Sequence, residues 1–76
     1  MRRLRAKVRG WTMSDAERLA AYEAFAAEAR AELGDVSRRM EALRAENKVK
    51  TATYRQLFAT RITLKDIDRR LTAHGL

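Results

Sequence analysis

Cysteine and proline are both absent from this 76-residue chain, and glycine occurs only three times. Without cysteine, neither a disulfide framework nor a thiolate metal site can supplement a small hydrophobic core. Without proline, and with glycine confined to Gly10, Gly34 and Gly75, little interrupts a helix. Such isolated glycines also leave no phosphate-binding loop. The single histidine, His74, has no acidic residue one helical turn away to make a metal or general-base pair. Glu28 and Glu32 share a helix face but lack the second carboxylate pair that a di-metal bundle requires. No stretch approaches the roughly 18 apolar residues of a membrane span. The basic start (Arg2, Arg3, Arg5, Lys7, Arg9) is not followed by the apolar run of a signal peptide. The expectation is a cytoplasmic, non-enzymatic protein with no cofactor and no membrane span.

Alanine, by contrast, occurs fourteen times, and the fold class this indicates is all-α. Charge is present in excess of one sign, a formal +7, and it is unevenly placed. Residues 1–13 carry +5, residues 14–47 carry −3 and residues 48–76 carry +5. Basic ends around a mixed centre favour an anionic partner, nucleic acid first. Residues 1–13 read as a basic N-terminal arm in which Leu4, Val8 and Trp11 fall at helical spacing. Met13-Ser14-Asp15 itself resembles a start, and residues 14–76 read as a single small helical domain.

The most regular feature is a seam of Leu19, Tyr22, Ala26, Ala29, Leu33, Val36, Met40 and Leu43, spaced alternately by three and four. That spacing is the heptad stripe of a helix that must be covered, by the rest of the chain or by a second copy. Ser14-Asp15-Ala16-Glu17 supplies a capping box at its start. The heptad phase passes through Gly34 unaltered, which favours one helix over about 15–46; a break there, with Asp35 capping a second helix, is the alternative. If Leu19 is an a position, Arg18, Phe25, Glu32 and Arg39 are g positions and Glu23, Arg30, Ser37 and Arg44 are e positions. A parallel pair would set Arg39 against Arg44 of its partner, so an antiparallel homodimer or an intramolecular bundle fits at least as well.

Beyond the polar stretch Glu46–Lys50, Thr51 or Thr53 can cap a short helix over about 52–59 carrying Tyr54, Leu57 and Phe58. Thr60-Arg61-Ile62 reads as a turn. Thr63-Leu64-Lys65-Asp66 reads as a second cap, opening a helix over about 64–73 with Leu64, Ile67 and Leu71 on its apolar face. Gly75 is placed to end it, with Leu76 folding back.

The run Ile62-Thr63-Leu64-Lys65-Asp66-Ile67-Asp68-Arg69-Arg70-Leu71 resembles the second half of a helix-turn-helix motif: an aliphatic residue, a Thr cap, an interior aliphatic, a basic residue and a leucine. It departs from that family at Arg61, where a turn glycine is usual, and at Leu57, where a small residue is. The resemblance implies double-stranded DNA as partner, with Lys65 and Arg69 entering the major groove and Lys48, Lys50, Arg55 and Arg61 on phosphates. The block Lys48-Val49-Lys50-Thr51-Ala52-Thr53-Tyr54-Arg55-Gln56-Leu57, with Ile62-Thr63-Leu64 and Gly75-Leu76, looks like the C-terminal part of small proteins carried on mobile elements of Gram-positive bacteria. That likeness implies a regulator or accessory factor of such an element. The alternative is a protein–protein interaction module, an adaptor, antitoxin-like or defence-inhibitor protein with no DNA binding of its own.

Overall fold

Ser14 opens the first helix with both halves of its capping box. Its hydroxyl accepts from the Glu17 N–H at 3.1 Å, and its own N–H donates to Glu17 Oε1 at 2.8 Å. A computed structural model describes residues 13–76, and within them the chain forms two helices, α1 (Asp15–Ala45) and α2 (Ala52–Ala73), with no strand. The expectations for the N-terminal arm, including Leu4, Val8 and Trp11, lie outside the described residues.

α1 runs through Gly34 without a break. A glycine inside a helix costs only about 1 kcal/mol relative to alanine, less than packing a seam that stays in phase on both sides contributes. Asp35 also pairs with Arg38 one turn on. The helix ends on a Schellman motif built on asparagine. Asn47 takes a left-handed φ of 64°, its N–H donates to the Arg44 carbonyl at 3.0 Å, and the Lys48 N–H donates to the Leu43 carbonyl at 2.8 Å. This reverses the chain within six residues, Glu46 to Thr51. Thr51, not Thr53, then caps α2: its hydroxyl accepts from the Tyr54 N–H at 3.1 Å and donates to the Lys48 carbonyl at 2.9 Å.

α2 corrects the sequence reading. In place of short helices over 52–59 and 64–73 there is one helix of 22 residues, and Thr60-Arg61-Ile62 is helical rather than a turn. Thr63 caps nothing; its hydroxyl turns back to the Ala59 carbonyl at 3.3 Å, the way a threonine is accommodated inside a helix. The physical reason is the heptad order of Tyr54, Leu57, Arg61, Leu64, Asp68 and Leu71. A turn at Thr60–Ile62 would put Leu57 and Leu64 out of phase, whereas the unbroken helix buries both against α1. At the far end Gly75, with φ 87°, and Leu76 close a second Schellman motif, the Leu76 N–H donating to the Leu71 carbonyl at 2.8 Å.

The two helices pack antiparallel around a single small core of Ala29, Val36, Met40, Leu57 and Leu64, edged by Leu33, Leu43, Tyr54, Ile67 and Leu71. Among the described residues Met40 is the most enclosed large side chain, at 1% exposure. The seam is thus covered unevenly: Ala26, Ala29, Val36 and Met40 are buried, Leu33 and Leu43 half-buried, while Leu19 and Tyr22 are 51% and 55% exposed. Length accounts for this. At about 1.5 Å per residue α1 is roughly 46 Å long and α2 roughly 33 Å, so α2 ends about 13 Å short of the start of α1 and leaves the first turns of α1 without cover from it. No described helix is long and apolar enough to cross a membrane.

Two substitutions test this arrangement. A Cβ at position 34 would meet only the Arg38 guanidinium, at an ordinary 3.5 Å, so Gly34→Ala should raise the stability measured by urea unfolding by about 1 kcal/mol. Were α1 broken at Gly34, alanine there would destabilise instead. Met40→Ala should cost about 2–5 kcal/mol, and loss of helical circular dichroism at room temperature is the expected outcome for so small a core.

Candidate functional site

One side of α2 collects three of the six basic residues that the sequence marks. Arg55, Phe58, Ile62, Lys65 and Arg69 follow one another by three, four, three and four residues, which places them in one straight row. All five are exposed; Phe58 is 49% and Ile62 56% open. From Arg55 to Arg69 the row is roughly 21 Å long. It has cations at both ends and two large apolar side chains between Arg55 and Lys65. Ile62, the leading aliphatic residue of the helix-turn-helix-like run, is exposed to solvent.

The other marked residues lie elsewhere. Lys48 and Lys50 are exposed in the connection, at the Arg55 end of the row, and Lys48 Nζ is 3.2 Å from Glu46 Oε1. Arg61 is half-buried and shares the α1-facing phase with Leu57 and Leu64, so it does not join Lys65 and Arg69. Arg69 and Arg70 both donate to Asp66, Arg70 through Nε at 2.9 Å. Among the described residues Arg55 and Lys65 form no ion pair. His74 is the C-cap of α2, and the described residues hold no group of three acidic, histidine or cysteine side chains that could bind a metal.

A second surface lies at the open end of the hairpin. Tyr22 and Phe25 from the uncovered part of α1, with Ile67 and Leu71 from α2 and the folded-back Leu76, wall an open apolar groove of about 520 Å³. His74 and Arg70 complete its lining. Ile67 comes nine residues after Phe58, two and a half turns of helix. The groove and the basic–apolar row are therefore on opposite sides of α2.

Between them a polar clasp holds the helices in register. Arg30 donates through Nε to Asp68 Oδ1 at 2.6 Å, through Nη2 to the Thr72 hydroxyl at 3.1 Å, and through Nη1 to the main-chain oxygen of Leu76 at 2.7 Å. Near the connection Arg44 Nη2 donates to the Tyr54 hydroxyl at 3.0 Å, and this hydrogen bond, with Glu41 beside it, holds the guanidinium still more firmly protonated. Neither Arg30 nor Asp68 stood out in the sequence, although one signal was there. Asp68 sits three residues before Leu71 and four after Leu64, in the apolar phase of α2, where a carboxylate needs a cation opposite.

The Arg70 and Arg69 hydrogen bonds lower the Asp66 carboxyl below its ordinary value of 3.8. A lowered acid contributes stability above its unfolded pKa and loses it as the pH falls through the folded one. The urea midpoint of the wild type should therefore exceed that of Asp66→Asn at neutral pH, the gap narrowing as the pH is taken down past 3.8. Arg30 and Asp68 are each about one-third exposed, so Arg30→Ala should cost only about 1 kcal/mol. Arg30→Lys should fail to restore it, because an ammonium cannot make the same fork. No protein-family model matches the chain, and no curated protein or solved structure shows a significant match to it.

Proposed function

We propose that this protein is a protein–protein interaction module, a helical hairpin that uses the row Arg55–Phe58–Ile62–Lys65–Arg69 to bind an amphipathic helix with acidic flanks. The observation that carries this reading is Phe58 and Ile62 standing half open to water between cations. A surface for a phosphate backbone needs cations and hydrogen-bond donors along its length. Two large apolar side chains in the middle of the row match instead the apolar stripe of a partner helix, read at i, i+3 and i+4 spacing. Arg55 and Lys65–Arg69, at the two ends, would then select acidic residues on that partner and raise the association rate.

The alternative expectation, double-stranded DNA, draws on the same cations together with Lys48 and Lys50, and one experiment separates the two. Immobilised protein is offered a nuclease-treated lysate from cells that carry it and, separately, a labelled DNA duplex at low salt. A stoichiometric partner should be retained by the wild type. Its affinity should fall at least thirtyfold in Ile62→Glu or Phe58→Ala, the size of effect expected of an apolar hot spot. Lys65→Glu should slow association mainly at low salt. Duplex retention that falls steeply with salt, with a log–log slope near −4 to −5 for about five phosphates, would overturn the proposal, provided Phe58→Ala leaves it intact.

A further inference from the structure

The groove at the open end of the hairpin lies on the opposite side of α2 from the basic–apolar row, and its occupant follows from the order of charges along α1. Arg18, Phe25 and Glu32 are spaced by seven residues, so they form a nearly straight line on the exposed side of the helix, each step rising about 10.5 Å. All three are exposed, Phe25 by 49%. Phe25 also forms part of the groove wall with Tyr22, Ile67, Leu71 and Leu76. Cation, aromatic ring, anion is a self-complementary order, but only for a second helix running the other way. In a parallel pair like would face like; in an antiparallel pair g positions face g positions, and each end meets its opposite.

We propose that a second copy of this chain occupies the groove, the two hairpins packing antiparallel about a two-fold axis at Phe25. Phe25 meets Phe25 of the other copy on the axis, and Arg18 of each faces Glu32 of the other. Residue numbers that face one another then sum to 50, which also lays each Tyr22 along its neighbour's groove. Arg18 is held only loosely within its own helix, 3.8 Å from an Asp15 carboxylate that is itself fully open. Glu32 forms no ion pair among the described residues, so both are free to turn outward.

The amount of surface agrees. A buried aromatic side chain removes about 150–250 Å² from water, so half-exposed Tyr22 and Phe25 have roughly 100 Å² each still to bury. With the aliphatic wall of the groove and the charged ends, two copies would together bury on the order of 1,000 Å², the lower bound of a specific interface. A hairpin in which Met40 is the one fully enclosed large side chain among the described residues is also the kind of small fold that association completes. This inference does not depend on the partner proposed for the α2 row.

Sedimentation equilibrium of the full chain tests it. At micromolar concentration the mass should be near twice 8.8 kDa, and Phe25→Glu, at a position already half exposed, should give a folded monomer. Arg18→Glu alone and Glu32→Arg alone should each raise the dimer dissociation constant at least tenfold, since each sets like charges together twice. The double variant R18E/E32R should return it to within about threefold of the wild type. In a parallel pairing residues 18 and 32 of opposite chains lie about 21 Å apart, and no such rescue would occur. A monomeric wild type at about 100 μM, a Phe25→Glu dimer, or a double variant no better than the singles would each overturn the proposal.

Discussion

The two helices of the described residues have one interface to bury between them, and what is distinctive about the hairpin follows from that constraint. Two cylinders in contact cover one stripe on each, so at most a third of either helix surface leaves water. In this chain the stripe is enough to enclose Met40 and to shelter Ala29, Val36, Leu57 and Leu64. It leaves Leu19, Tyr22, Phe25, Phe58 and Ile62 about half exposed. Larger domains bury a rising share of their surface and can absorb such residues. Here, Val49 in the connection aside, the most exposed of the large apolar side chains gather at two places, Leu19, Tyr22 and Phe25 toward the open end of the hairpin and Phe58 and Ile62 along the back of α2.

Since the apolar stripe alone supplies so little, the ends of the hairpin are held by directional interactions. At the connection, the asparagine-based Schellman motif, the Thr51 cap and the Arg44–Tyr54 hydrogen bond act within a few residues of one another. At the other end, one guanidinium reaches a carboxylate, a hydroxyl and a main-chain oxygen on α2 and its tail. Hydrogen bonds of this sort add little net stability where water has access. Their effect is on register. Sliding α2 by one turn along α1 would keep an apolar stripe against an apolar stripe but would strand Asp68 and separate Arg44 from Tyr54. The polar pairs decide which of several similar apolar alignments is adopted, and so fix where Tyr22 and Phe25 are left uncovered.

The all-helical class, the cap at Ser14, the passage of α1 through Gly34 and the ending at Gly75-Leu76 were legible in the sequence. Each is a local signal with a local cause: a serine three residues before a glutamate, a stripe that keeps its phase, a glycine free to take positive φ. The error at Thr60–Ile62 has an equally specific cause. Thr63 followed three residues later by Asp66 has the spacing of a capping box, and a threonine inside a helix is neutral enough to leave that reading open. The longer-range signal ran against it. Leu57, Leu64 and Leu71 are seven apart, the same phase argument that carries α1 through Gly34. A local cap contributes about 1 kcal/mol, and burying two leucines contributes several, so the phase wins. With the helix continuous, Arg55, Lys65 and Arg69 come to share a row with Phe58 and Ile62, whereas two helices joined by a turn would have parted them.

The row and the groove ask different things of a partner. A groove walled by tyrosine, phenylalanine, isoleucine and leucine can be filled by any apolar surface of the right shape, and selectivity must come from the charges beside it. The line Arg18–Phe25–Glu32 carries both signs, so it can satisfy itself in a symmetric pair without an outside ligand. The α2 row carries one sign only. Two copies placed row to row would set Arg55 and Arg69 against further cations, and like charges brought together in this way are an effective bar to self-association. Under the two proposals, the distribution of charge separates the two sides, the one with both signs for a second copy of the same chain and the one with a single sign for an acidic partner. Under the same proposals, the excess of basic residues that favours an anionic partner has a second consequence: like charge along the α2 row opposes pairing of that row with its own copy.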